Sequence, residues 1–311
     1  NWQEGHNVFA THEEANADAR KMHKLYGDYM RDVLAIPAIM GEKTPEERFA
    51  GADHTYTTEQ IMQDGKALQA GTSHDLGQHF SKSFGIKYLG TDGQLHHAWT
   101  TSWGTSTRMM GGLFMTHSDD DGLVLPPMVA PYQVVIIPLV RDGNDDALNA
   151  YAEKIGDDLR AHGIRVLVDT SDMRGPDKMW KWIKRGVPLR VEIGGREMAA
   201  DQITVTRRDL GKASKQTMAV AEFTDAAAEM LRVMHKDMYN AAAVRNATMI
   251  KNVESLDALD AALGAGEIGF FRLKYDLTLA PEFDAIMDTY KVSRRCLDDA
   301  DPTYVFVAKS Y

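Results

Sequence analysis

Two short stretches concentrate the residues that could hold a small polar ligand. Residues 67–80 read ALQAGTSHDLGQHF, and residues 101–108 read TSWGTSTR. Gln69, Thr72, Ser73 and His74 offer donors and acceptors on a backbone that Gly71 leaves open to close approach. Ser102, Trp103 and Gly104 add a hydroxyl, an aromatic wall and a bare backbone, and Arg108 adds a permanent positive charge. Together they suit a small zwitterion beside a polyphosphate. A third string, Trp2-Gln3-Glu4-Gly5-His6, says little alone and gains meaning beside the other two.

Other chemistries have less support. Cys296 is the single cysteine and has no histidine near it in sequence, so it reads as structural. It excludes an intramolecular disulfide and a cysteine-rich zinc site, and it fits a reducing, cytoplasmic compartment. Gly-x-Ser-x-Gly and a Walker loop are both absent, and no dinucleotide-binding fingerprint is expected. His79, His96 and His97 lack the spacing of zinc ligands and read as ordinary hydrogen-bonded histidines.

The elements that must position these residues follow from periodicity. Thr11-His12-Glu13-Glu14 reads as a capping box, and Ala15, Ala19, Met22, Tyr26, Met30 and Val33 then recur at helical spacing. A helix over 12–34 is expected, stopped by Pro37. Residues 1–10 are expected to end a strand, with a tight turn at Gly5, and 41–60 to be polar, with a turn or loop around Gly41 to Thr44. Residues 66–70 and 95–117 read as strands with a short helix at 77–84 between them. Gly122 to Pro127 is a natural hinge. Beyond it, strands at 133–138, 165–168, 189–193 and 203–206 alternate with helices at 145–162 and 178–184, the pattern of an α/β domain. Helices at 224–250 and 255–263 and a terminal strand at 304–307 complete the chain.

Length and charge bound the class. The 311 residues allow two or three domains, and the composition is 44% hydrophobic and 26% charged, ordinary for a globular protein. No run approaches the apolar length of a membrane span, so no membrane partner is expected. The net charge is −10, which argues against broad coating of nucleic acid. Between Asp172 and Lys212, however, ten Lys/Arg stand against six Asp/Glu. That local excess reads equally as a solvated face or as a footprint for a polyanion. The chain opens on Asn1 rather than methionine, which suggests an internal start.

Five strings in order resemble prolyl-tRNA synthetase of the archaeal/eukaryotic-like type: WQEGH, EERFAGAD, LQAGTSHDLGQHF, TSWGTSTR with HSDDDGLVLPP, and GVPLRVEIGGRE. The chain also ends in a tyrosine, like the family. The resemblance spans essentially the whole chain. It implies a multidomain α+β and α/β fold: part of a class II antiparallel-sheet catalytic domain at 1–130, an α/β anticodon-binding domain with a mixed sheet at 131–222, and a small α+β C-terminal domain at 223–311. It implies activation of L-proline by ATP with Mg²⁺ and transfer to tRNA(Pro), in a homodimer. By that likeness Trp2, Glu4, Phe49, His74, Ser102 and Gly104 line the proline site, and His6 supports it or reaches towards the adenosine. Gln69, Thr72 and Arg108 face ATP, with Arg108 as the catalytic arginine, and Arg190 and Arg196 read the anticodon.

Three departures qualify the likeness. The chain starts inside the family's motif 2 and lacks motif 1, so the 311 residues alone are expected to be inactive. The family's WELKGVP string reads WIKRGVP here, with Ile183 in place of a base-reading glutamate. The four-cysteine zinc site of many relatives is reduced to Cys296, so no zinc is expected, and Phe270, Phe271, Tyr304 and Phe306 are expected to supply packing instead. A non-catalytic relative that binds tRNA or an amino acid is the alternative reading. The threonyl and glycyl enzymes share the anticodon fold but not WQEGH with GTSHDLGQHF.

Overall fold

The structure is a computed structural model that describes residues 1–140 and 145–311. The chain forms two compact units. The first contains residues 1–32, 36–116 and 243–311, and the second 33–35 and 117–242.

The first unit begins with β1 (Trp2–Phe9), α1 (His12–Asp32), β2 (Ala38–Glu42), β3 (His54–Ile61), β4 (Ala67–Asp75) and α2 (His79–Phe84). A small hairpin, β5 (Lys87–Leu89) and β6 (Leu95–His97), leads into β7 (Trp99–Ser106) and α3 (Arg108–His117). Five strands form one sheet in the order β1-β7-β4-β3-β2, antiparallel throughout. Helix α1 starts at the expected capping box: the Glu14 N–H donates to Thr11 Oγ1, and the Thr11 N–H to Glu14 Oε2, each at 3.2 Å. Its buried stripe of Ala15, Ala19, His23, Tyr26 and Met30 covers one face of the sheet.

Three expectations are corrected here. Gly5 makes no turn but lies mid-strand in β1, opposite Trp103. A Cβ at Gly5 would lie 2.1 Å from Trp103 Cη2, so the glycine makes room for the indole. The turn expected around Gly41 to Thr44 is partly strand, because Gly41 and Glu42 belong to β2 and pair with Thr57 and Tyr56 of β3. The threonines and Tyr56 of β3 favour a strand. Residues 95–117 are not one strand either. From Arg108 onward the chain is helical, and Met109, Gly112, Leu113 and Thr116 bury one helical face at spacings of three and four.

The second unit contains β8 (Val134–Pro138), α4 (Asp146–Ala161), β9 (Val166–Val168), α5 (Gly175–Lys184), β10 (Leu189–Ile193), α6 (Gly195–Ala199), β11 (Gln202–Arg207) and β12 (Gln216–Ala219). The sheet runs β12-β11-β10-β8-β9, with β8 parallel to β9 and β10 and the β11 and β12 pairings antiparallel. Val134 and Ile136 face one core with Leu148, Ile155, Val191 and Phe223, while Val135 and Ile137 face another with Trp182 and Val187. A central strand covered on both faces reads as an unbroken apolar run, as VVII does here. Strand β12 and helix α6, which periodicity did not indicate, are short and largely exposed. Helix α7 (Val220–Met249) follows, its residues through 242 belonging to this unit.

The last segment returns to the first unit with β13 (Ile250–Asn252), α8 (Leu256–Gly264), β14 (Phe270–Lys274), α9 (Ala280–Tyr290), β15 (Val292–Leu297) and β16 (Tyr304–Lys309). Its sheet order is β13-β14-β16-β15. Phe270, Phe306 and Cys296 pack with Ile61 and Ala67 of the first sheet. Phe271 joins a separate core with Leu259, Phe283 and Val305, and Tyr304 lies under the Arg272 guanidinium at 3.8 Å. Gly264-Ala265-Gly266-Glu267-Ile268-Gly269 has the G-x-G-x-x-G spacing. It follows a helix and precedes a strand, the reverse of the dinucleotide-binding context.

Candidate active site

Register brings the separated strings together. Strand β7 lies between β1 and β4, so His6, Ser102 and His74 form one row across three strands, and Glu4, Gly104 and Thr72 the next. Residues two apart share a face. Trp2, Glu4, His6, Ser102, Gly104, Thr72 and His74 therefore share one, opposite the face covered by α1. Gln69, three residues before Thr72, would be out of phase. Between β3 and β4, however, Thr58 pairs with Gly71 and Glu59 with Gln69, which leaves Ala70 as an extra residue. The bulge returns Gln69 to the site face.

Phe49 comes from the connection between β2 and β3. Its N–H donates to Thr55 Oγ1 at 3.1 Å, and its ring lies 4.9 Å from the His74 ring at a 43° tilt. Arg108 opens α3, with its backbone N–H donating to Ser106 Oγ at 3.2 Å and its side chain exposed. A cation at a helix N-terminus opposes the helix dipole. The guanidinium and the helix end together favour an anion at this corner.

All ten residues expected at the catalytic site line a single cavity of about 490 Å³: Trp2, Glu4, His6, Phe49, Gln69, Thr72, His74, Ser102, Gly104 and Arg108. Trp103 also borders it, but its indole lies on Gly5, so the aromatic walls are Trp2 and Phe49. His74 Nδ1 is 3.0 Å from Thr55 Oγ1 and Nε2 is 3.1 Å from Thr72 Oγ1. Burial pushes its pKa down to about 4, so the ring is neutral at pH 7. A second, almost wholly apolar cavity of about 340 Å³ shares His6, Phe49 and Ser102 and is also lined by Leu76, Phe80 and Phe84. Thr55 is not among the expected site residues, because the polar stretch around it, which forms β3, is not expected to be a strand of this sheet. The alternation of its threonines with Tyr56 was the signal available.

The remaining histidines have local partners. His79 Nε2 bonds Asp53 Oδ1 at 3.1 Å, His96 Nε2 bonds Asp92 Oδ2 at 2.8 Å, and His97 Nδ1 bonds the Ser81 carbonyl at 3.2 Å. Among the described residues, His12, Asp53 and Asp75 cluster closely enough to hold a metal ion. The Asp75 carboxylate is already taken by His12 at 2.7 Å, Asn16 at 3.1 Å and the Gly77 N–H at 3.0 Å. That arrangement reads as a turn-and-helix tether.

In the second unit, Arg190 lies on β10, largely buried, with Nε donating to Glu192 Oε1 at 3.2 Å. Lys215 Nζ donates to the other Glu192 oxygen at 2.9 Å. Arg196 is exposed on α6. Ile183 is half-buried on α5, beside Trp182, whose Nε1–H donates to Asp169 at 2.7 Å. Burial opposes ionisation of Asp169, but hydrogen bonds from Ser171, Lys181 and Trp182 outweigh it and hold the carboxyl far below the usual range.

The chain resembles known proteins in both sequence and structure. The anticodon binding domain family matches residues 133–230. The chain is 41% identical to a proline--tRNA ligase of Bdellovibrio bacteriovorus, over all of this chain and 66% of that protein. It is 43% identical to the proline--tRNA ligase of Akkermansia muciniphila, over 95% of this chain and 60% of that one. The prolyl-tRNA synthetase of Cryptosporidium parvum, solved with L-proline and AMP, superposes with a TM-score of 0.92 at 29% identity, over all of this chain and 69% of that chain. The chain thus spans somewhat less than two thirds of the curated relatives' length. The antiparallel sheet with its cavity, followed by an anticodon-binding domain, defines a class II aminoacyl-tRNA synthetase. Within that class the chain belongs to the prolyl-tRNA synthetase family and corresponds to its C-terminal part.

Proposed function

We propose that this chain forms part of a proline--tRNA ligase, which activates L-proline with ATP and passes the prolyl group to tRNA(Pro). One observation carries the reading: residues from four separated strings converge on one cavity with aromatic walls at one side and a guanidinium at another. In this reaction a proline carboxylate oxygen attacks the α-phosphate of ATP, the bond to the β-phosphate oxygen breaks, and pyrophosphate leaves. No protein nucleophile is needed. Catalysis is positioning of two anions and offsetting of phosphate charge. Trp2, Phe49 and the neutral His74 would enclose the pyrrolidine ring, with Glu4, His6, Ser102 and Gly104 completing the proline site. Gln69 and Thr72 would face ATP, and Arg108 would hold the terminal phosphates through its planar fork.

The fuller assignment extends this reading. The subtype would be archaeal/eukaryotic-like, supported by the likeness to the Cryptosporidium parvum enzyme along the whole chain. Residues 1–130 would serve catalysis, 131–222 the anticodon and 223–311 would form the C-terminal domain, although 243–311 packs with the catalytic sheet. Mg²⁺ would accompany ATP, and the enzyme would act as a homodimer in the cytoplasm, where its tRNA is charged. Among the described residues no helix is long and apolar enough to cross a membrane. Cys296 is buried and burial pushes its thiol up, which suits packing rather than zinc binding. Proline-dependent exchange of pyrophosphate into ATP, assayed in the natural-length protein, tests the reading. Arg108→Ala should lower the exchange by about a hundredfold or more. Exchange that alanine or glycine supports as well as proline would count against it.

A further inference from the structure

Thr55 faces the same side of the sheet as His74, its register partner across β3 and β4, and is 2% exposed. Its hydroxyl oxygen receives the Phe49 N–H and lies within hydrogen-bond reach of His74 Nδ1. A threonine hydroxyl has one proton to give, and a buried one must find an acceptor. Among the described residues, His74 Nδ1 is the acceptor that Thr55 Oγ1 reaches. Were His74 to donate instead, Thr55 would receive two hydrogen bonds and its own buried proton would have no acceptor.

The polarity of the whole chain follows. Thr55 donates to Nδ1, so the neutral imidazole carries its proton on Nε2. That N–H donates to Thr72 Oγ1, which leaves the Thr72 proton to point into the cavity that Thr72 lines. We propose that Thr55 is a positioning residue: it fixes His74 as the Nε2–H tautomer, and thereby makes Thr72 a hydroxyl donor aimed at an anionic ligand oxygen, carboxylate or phosphate. By accepting the Phe49 N–H, the same hydroxyl also fixes the aromatic wall beside His74. With the opposite polarity Thr72 would be an acceptor and would favour an ammonium group. The identity of the ligand rests on the synthetase reading above, whereas the tautomer does not.

The test is nitrogen-15 NMR of the histidine side chains, with His74 assigned by loss of its signals in His74→Gln, joined to calorimetric titration of L-proline. The wild-type protein and Thr55→Ser should show the Nε2–H tautomer. Thr55→Val, isosteric but without the hydroxyl, should show a shifted or mixed tautomer and about tenfold weaker proline binding, with Thr55→Ser close to wild type. An Nδ1–H tautomer in the wild-type protein overturns the proposal without any variant having to fold. So does a Thr55→Val protein that keeps both the tautomer and the proline affinity. A wild-type protein with the expected tautomer but no affinity for L-proline would refute the prolyl reading and leave the role of Thr55 standing.

Discussion

The Arg295 guanidinium donates to Glu59 Oε2 through Nε at 3.0 Å and Nη2 at 2.7 Å, joining β15 to β3 across 236 positions of sequence. Glu59 is fully buried, and Lys43 Nζ approaches its other oxygen at 3.2 Å. A buried pair adds little over an apolar pair, but removing Arg295 leaves Glu59 Oε2 without its two donors and Lys43 as its remaining counter-charge. Arg295→Met should therefore cost about 1–3 kcal/mol, read as a lower denaturant midpoint. Arg295→Lys should recover part of this, since an ammonium keeps the charge and loses the two-pronged geometry. Glu59 is the register partner of Gln69, so if Gln69 faces ATP as proposed, Arg295→Met should also weaken ATP binding. An unchanged midpoint in Arg295→Met would show that the pair is dispensable.

Gly5 and Trp103 form a second test of packing. The indole occupies the space that a side chain at residue 5 would need. Gly5→Ala should destabilise by about 1–3 kcal/mol, the usual cost of overpacking. Trp103→Leu should relieve that cost when combined with Gly5→Ala. Thermal melts of the two single variants and the double variant should show non-additivity; additive shifts would count against the contact.

His74 makes stability depend on pH. Its folded-state pKa, about 4, lies below the unfolded value of 6.5. Between these values the unfolded chain binds more protons, so stability rises with pH in that window. The contribution is complete above about pH 6.5 and is lost as pH falls toward 4, with a slope of at most about 1.4 kcal/mol per pH unit. His23, also lowered by burial, acts in the same direction. Melting curves at pH 7 and pH 5 should show a smaller loss in His74→Gln than in wild type. Equal losses would remove His74 from the account.

For tRNA, the exposed Arg196 and the Glu192-paired Arg190 should differ. Arg196→Ala should weaken tRNA(Pro) binding by about 1–3 kcal/mol if it reads a base edge. Arg190→Ala should weaken aminoacylation more than pyrophosphate exchange, and it also frees Glu192 to hold Lys215 alone. Filter binding and the two activity assays measure these effects. Equal losses of exchange and aminoacylation in Arg190→Ala would place its effect in folding rather than recognition.

The local signals that were legible are those that act over a few residues. The Thr11–Glu14 capping box, the apolar stripe of α1 and the alternating strands and helices of 133–206 could be read because caps and periodicities are properties of short segments. The chemical content of the site was legible too, since Gln69, Thr72, His74 and Arg108 have functional groups whatever their surroundings. The sequence by itself determined which groups are available and which family pattern they follow. Tertiary structure alone decided how they meet. Pairing of β1, β7 and β4 placed His6, Ser102 and His74 in one row, and the extra residue Ala70 turned Gln69 to the site face. The pleat seated the Trp103 indole on Gly5, and β3 brought Thr55 beside His74. Each depends on register between distant strands, and a shift of one residue reverses every side chain. No local window of sequence contains that information.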